Sequence, residues 1–130
     1  MRNRGATVII ENGKVALIKR TKPNSVYYVF PGGGIEKEET PEQAAIRETY
    51  EEIGVHVRIE RLFEKLEFNG MQYYYLAHII GGTFGTGTGE EYSHTSIERG
   101  NYEPIWVDLA ELPSLDVRPK EIVDKIISPT

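Results

Sequence analysis

Short apolar runs rich in β-branched residues punctuate the N-terminal part of the chain. Residues 6–10 (ATVII) and 15–18 (VALI) read as strands. Asn12-Gly13 joins them, and Asn-Gly is the preferred pair for a tight type I′ turn, where both central residues need positive φ. Residues 27–30 (YYVF) predict a further short strand, ended by Pro31 and three glycines that read as a loop. Val55–Phe68 and Met71–Ile80 are strand-like and are joined by a second such pair, Asn69-Gly70. Ile105–Val107 predicts a short strand, and the apolar positions 122, 123, 126 and 127 within Pro119–Ile127 have helical spacing. Between them, Gly81–Pro104 is Gly-rich and polar, longer than most connections in compact domains. No internal repeat or linker interrupts the chain. Strands, helix, strands and helix in that order predict a mixed α/β domain with helices covering a sheet, one domain over residues 1–130.

The best-specified element is a helix over residues 41–53. Thr40 is a good N-cap, Pro41 falls at the first helical position, and Gln43 completes a capping box. Gly54 sits where a left-handed residue ends a helix. At 100° per residue, Ile46, Tyr50 and Ile53 share one arc. Glu48, Glu51 and Glu52 share the opposite arc, and Ala44 leaves space on that side. Arg47 alone is placed to relieve the three carboxylates, beside Glu51.

Charge sharpens this picture. The chain has 15 Lys+Arg against 20 Asp+Glu, a net charge of −5. That balance lacks the general attraction of a nonspecific nucleic-acid binder, so no nucleic-acid partner is expected. Residues 36–52 hold seven glutamates against Lys37 and Arg47. An ordinary solvated face interleaves lysine with glutamate. Carboxylates converging without matching cations are instead what a hard divalent cation takes as ligands. The glycines 32–34 allow close backbone approach to a ligand. They are not a P-loop, because no Gly-Lys-Ser/Thr follows.

Cysteine is absent, which removes disulfides, thiolate zinc sites and a cysteine nucleophile. No apolar run is long enough to span a membrane, and Ala6–Ile10 is too short for a signal segment. A cytoplasmic location and no membrane partner are the expectations.

Gly33, five residues, Glu39, seven residues, then Arg47-Glu48-Thr49-Tyr50-Glu51-Glu52-Ile53-Gly54-Val55 resembles the Nudix box at every fixed position. Thr49 departs from the bulkier aliphatic residue usual there. The 62–67 run LFEKLE and the strand–Pro-Gly-Gly entry are similar to MutT-like members. The resemblance implies the Nudix fold, an α/β/α sandwich around a mixed sheet. It also implies a Mg²⁺-dependent pyrophosphohydrolase, with Mn²⁺ as a substitute, that splits a diphosphate bond in a nucleoside diphosphate derivative.

In that reading Glu48, Glu51, Glu52 and the Gly32 carbonyl hold metal, with Glu98 or Glu103 as further candidates. Glu48, Glu52 and Arg47 are the catalytic set, and Arg47 holds a ligand carboxylate in place. Glu36 and Glu39 support the loop behind them. Substrate contacts fall to Arg20, Gly33, Gly34 and Tyr28. Arg20 reads equally well as an exposed strand-end cation. Tyr27 and Tyr28 are candidates for base stacking or for core packing, and Tyr73–Tyr75 are a lighter hint of the same kind. Either Glu48 or a glutamate of the long stretch (Glu90, Glu91, Glu98, Glu103) takes the proton from water. His56, His78 and His94 lack metal-like spacing, and Trp106 reads as core.

Two rivals stand beside this reading. A catalytically silent nucleotide- or partner-binding domain has no need of the complete acidic set. An isopentenyl diphosphate isomerase would need a cysteine. Substrate choice among nucleoside triphosphates, nucleotide sugars, ADP-ribose and dinucleoside polyphosphates stays open, with triphosphates favoured by Arg20 and the 62–67 run. Homodimer formation is left open.

Overall fold

The computed structural model describes residues 2–86 and 101–128. In chain order the strands are β1 (Arg4–Val8), β2 (Ile10–Glu11), β3 (Lys14–Lys22), β4 (Ser25–Val29) and β5 (Gly32–Gly34). Helix α1 (Pro41–Ile53) leads to β6 (Val55–Glu67), β7 (Met71–Gly82) and β8 (Asn101–Asp108). A 3₁₀ turn (Leu109–Ser114), β9 (Val117–Arg118) and helix α2 (Lys120–Ile127) complete the order.

Both Asn-Gly pairs make their turns through positive φ, at Asn12 (52°) and Gly13 (76°), and at Asn69 (53°) and Gly70 (106°). Strand β6 pairs antiparallel with β7 across the second. The apolar run 6–10, expected as one strand, is divided between two sheets. Its first part, β1, runs parallel to β7 and antiparallel to β5 in a sheet ordered β5-β1-β7-β6. Its end, β2, pairs with β3 in a second sheet ordered β2-β3-β4-β9, in which β8 also pairs along β3.

Strand β3 is apolar on both faces because both are covered. Val15 and Leu17 enter one core with Phe30, Ile122 and Val123, under α2. Ala16 and Ile18 enter another with Ile53 and Val55, at the end of α1. Helices on the two sides of mixed sheets give the expected α/β/α layering.

Helix α1 begins and ends where its caps say. Thr40 Oγ1 accepts from the Gln43 N–H at 3.1 Å, and Gln43 Oε1 accepts from the Thr40 N–H at 2.9 Å. Gly54 closes the helix at φ 83°. Its buried face differs from the expected arc: Ala44, Ala45, Thr49, Glu52 and Ile53 are buried, whereas Tyr50 is exposed and stacks on His56. Ala44 therefore leaves no open space on the acidic side. The helix lies so close to β1 that a Cβ on Gly5 would stand 2.4 Å from the Pro41 carbonyl oxygen. At the same contact the buried hydroxyls of Thr7 and Thr49 bond at 2.8 Å.

The Gly81–Pro104 stretch, expected as one long connection, is shorter than that. Residues 81–82 extend β7 and 101–104 open β8. Residues 87–100, including Glu90, Glu91, His94 and Glu98, lie outside the described residues. Among the described residues no helix is long and apolar enough to cross a membrane.

Candidate active site

The glycines 32–34, read from sequence as a loop, are strand β5. Each Cα is approached closely from alternating sides. A Cβ on Gly32 would meet Ala6, and one on Gly34 would meet the Arg2 side chain. One on Gly33 would fall 2.3 Å from the carboxyl carbon of Glu48. The missing side chain at Gly33 thus leaves room for that carboxylate against the strand. One turn further along α1, Glu52 is only 8% exposed, and its Oε1 accepts a 2.8 Å hydrogen bond from the Gly32 N–H. Gly32, expected to offer its carbonyl, here presents its amide to the carboxylate.

Glu48, Glu52 and the three glycines share the wall of a cleft of about 360 Å³. Arg20 lines it from β3, with Tyr27 of β4 and Tyr102 of β8 beside it. The Arg20 guanidinium carbon is 3.7 Å from the Tyr102 ring centre and 5.6 Å from that of Tyr27. A guanidinium over an aromatic face is held by the ring quadrupole, which fixes its plane. Tyr102 was not anticipated from sequence. It reaches Arg20 only through the β3–β8 register, in which the two residues are direct partners, and no local pattern reveals such pairing.

Tyr28, expected at the substrate, packs against the core around Val15 and Leu17 instead. Successive strand residues face opposite ways, so Tyr27 takes the cleft position. Glu103 is likewise off the cleft: its neighbour Tyr102 lines it, and Glu103 is exposed. Trp106 stacks on Phe84 and packs against the core around Ala16 and Ile53.

Arg47 organises the carboxylates. Its Nε donates to Glu39 Oε2 at 2.7 Å, while one terminal nitrogen donates to Glu39 Oε1 and the Gly34 carbonyl, both at 3.0 Å. The other donates to Glu48 at 3.1 Å and Glu51 at 3.3 Å. Glu36 stands 3.9 Å away, and its N–H donates to Glu39 at 2.9 Å. The bond from Arg47 holds the Glu39 carboxyl below its ordinary value, against burial, which pushes the other way. The bond to Glu39 in turn raises the Arg47 guanidinium further above its already high value.

Glu51, expected among the metal ligands, is drawn toward Arg47, has a side chain 41% exposed and does not line the cleft. Among the described residues no group of three or more acidic or histidine side chains is gathered closely enough to hold a metal. The cleft has two carboxylates, Glu48 and Glu52. Two hard oxygen donors fit a small divalent cation in kind, because magnesium is commonly held by one or two carboxylates together with substrate phosphates and water.

The profile of the NUDIX domain matches residues 1–126. The chain belongs to the Nudix family. Among curated Nudix relatives, the 8-oxo-dGTP diphosphatase of Escherichia coli K12 is 59% identical over 39 residues, 30% of either chain. The RNA pyrophosphohydrolase of Tolumonas auensis is 45% identical over 53 residues, 41% of this chain and 29% of the relative. These matches span less than a third of the relatives' length. Among solved structures, MutT from Aliivibrio salmonicida and Vibrio cholerae has a TM-score of 0.74 at 22% identity, covering 98% of this chain and 96% of that one. A Nudix hydrolase from Nitrosomonas europaea has the same score at 20% identity, over 97% and 86%. At those identities the likeness establishes the fold. Divalent metal cations are the cofactors general to the Nudix family.

Proposed function

We propose that the chain is a Mg²⁺-dependent pyrophosphohydrolase for nucleoside diphosphate derivatives, with nucleoside triphosphates, oxidised ones included, as the favoured substrates. The observation that carries this reading is the meeting of Glu48 and Glu52 with Arg20 in one glycine-walled cleft. Carboxylate oxygens and a guanidinium in one cleft suit a phosphate-bearing substrate, with Glu48 and Glu52 the residues that would hold a divalent cation to neutralise its charge. The preference for triphosphates rests on Arg20 and on the 39-residue identity with a relative named 8-oxo-dGTP diphosphatase.

Glu48 and Glu52 would hold the divalent cation, which supplies charge neutralisation at the phosphates and acidifies a bound water. Glu52, oriented by the Gly32 amide, is the more buried of the two. Glu48 is the candidate base. It takes a proton from the attacking water as that oxygen bonds to one phosphorus and the bridging P–O bond breaks, leaving two phosphate products. Arg47 touches no substrate in this scheme. It positions Glu48 and, through the Gly34 carbonyl, the glycine strand. Arg20, its plane set by Tyr102, binds substrate phosphate.

A panel of nucleoside triphosphates, nucleotide sugars, ADP-ribose and dinucleoside polyphosphates, incubated with Mg²⁺, tests the reading. Phosphate release with and without added phosphatase is measured for the wild type and Glu52→Gln. Turnover of at least one compound, reduced a hundredfold or more in the variant, is expected. Product from none of them, or undiminished turnover in Glu52→Gln, overturns it.

A further inference from the structure

Beside the carboxylate cleft lies a second cavity of about 540 Å³, between the β6–β7 hairpin and the segment that enters α2. The two share Arg4, Val29 and Phe30 along their walls. Of these three, only Arg4 has a polar side chain. It sits on β1 directly opposite Gly34 of β5 and Gln72 of β7, so it stands between the glycine strand and the second cavity.

Arg20 lies against the rings of Tyr102 and Tyr27, and three further arginines around the site are committed to carboxylates. Arg47 binds Glu39, Glu48 and Glu51; Arg118 forms a paired contact with Asp116 at 2.9 and 3.1 Å; Arg2 faces Glu36 at 3.8 Å. Among the described residues Arg4 has no ion pair or hydrogen-bonded side-chain partner, and it is exposed. An exposed guanidinium on the seam between two cavities is available to an anion entering from solvent.

The second cavity has a different character. Phe30, Leu66, Phe68 and Tyr74 give it apolar, ring-bearing walls, and Phe68 is 68% exposed. Its acidic groups are Glu67 and Glu121, while its second cation, Arg118, is already paired with Asp116. Beyond Arg4 the cavity therefore repels additional negative charge and offers flat apolar surface.

We infer that Arg4 is a specificity-determining residue, which grips a substrate phosphate on the seam and directs the uncharged, ring-bearing group attached to it into the second cavity. The inference rests on the hydrolase reading of the carboxylate cleft, and it adds a direction to it. The diphosphate lies from Glu48 and Glu52 toward Arg4, and the nucleoside end points away from the metal-binding carboxylates. Guanidinium–phosphate contacts are bidentate and charge-assisted, so their removal costs an order of magnitude or more in affinity.

The test is equilibrium binding of a methylene-bridged nucleoside diphosphate analogue, which needs no turnover, in the presence of Mg²⁺. Wild type, Arg4→Gln, Arg4→Lys and a control, Arg58→Gln on the exposed edge strand β6, are compared by calorimetry. The expected result is a tenfold or greater weakening in Arg4→Gln, recovery of only part of that loss in Arg4→Lys, which keeps the charge but not the fork, and a change under twofold in Arg58→Gln. Three results overturn the inference: Arg4→Gln binding within twofold of wild type, an equal loss in Arg58→Gln, which would mark a net-charge effect, or no binding to the wild type. Failure of the hydrolase reading shows elsewhere, as an absence of Mg²⁺-dependent turnover or indifference to Glu52→Gln.

Discussion

The hydroxyls of Thr7 and Thr49 meet at 2.8 Å in the contact between β1 and α1, both fully buried. Thr49 stands between Glu48 and the helical turn that carries Glu52. A position where an aliphatic side chain is usual therefore holds a polar group, and β1 supplies its partner. The bond is directional, so it sets the rotation of α1 over the strand as well as its distance.

Replacing either threonine with valine leaves the other hydroxyl buried without that partner. Each single variant should lose about 1–3 kcal/mol of stability, and the double variant should lose less than the sum of the two. Urea unfolding of the four proteins measures this directly. Additive losses would show that the two hydroxyls are not coupled.

Two glycines that look alike in sequence should fail differently. Alanine at Gly5 drives a Cβ into the backbone of α1, so Gly5→Ala should cost about 2 kcal/mol or more in unfolding free energy. Alanine at Gly33 meets first the end of the Glu48 side chain, which can swing away. Gly33→Ala should keep most of its stability and lose tenfold or more in turnover. Thermal unfolding and turnover measured together separate the two. A Gly33→Ala protein of normal activity would count against Glu48 as the base.

Arg47→Lys keeps a positive charge and loses the fork that binds Glu39 through two nitrogens and reaches the Gly34 carbonyl. About 2 kcal/mol of stability should go with those charge-assisted bonds. Turnover should fall by more than that loss of folded protein explains, because Glu48 and the glycine strand lose a common anchor. Denaturant titration beside activity at a temperature where both proteins are folded checks the claim.

The same pair predicts a pH dependence. Glu39 has a folded-state value below the ordinary 4.5, caused first by its bond from Arg47. A depressed carboxyl contributes stability that is fully present above the unfolded value and is lost as pH falls through the folded one. Arg47→Met removes the cause, so the gap in stability between wild type and variant should be widest near neutrality and close below pH 4.5. Denaturation series from neutral to acid pH follow it. A gap that stays constant into acid would contradict the linkage.

Legibility from sequence was uneven, for physical reasons. Helix α1 could be read to its ends because Thr40, Pro41, Gln43 and Gly54 act locally, on backbone groups within a turn of themselves. The Asn-Gly turns were legible for the same reason. Strand β5 was not, since strand signals come from side chains and Gly32–Gly34 have none. The division of residues 6–10 between two sheets leaves no local trace, because Val8 and Ile10 look equally suited to either.

A helical wheel places the glutamates relative to one another but not relative to the sheet. It could not tell that Glu52 turns inward to the Gly32 amide while Glu51 stays outside with Arg47. Tyr102, Arg4 and the choice of Tyr27 over Tyr28 depend on strand register across distant segments.

Strand β1 does three things in four residues. Arg4 faces the seam between the cavities, Gly5 lies under α1, and Thr7 reaches the helix hydroxyl. Because alternate residues face opposite ways, deleting one residue within this stretch would invert every assignment downstream of it at once. Anchor, spacer and phosphate grip are thus encoded by parity along one short strand. Evolution can change their identities one at a time, but it cannot shift their frame.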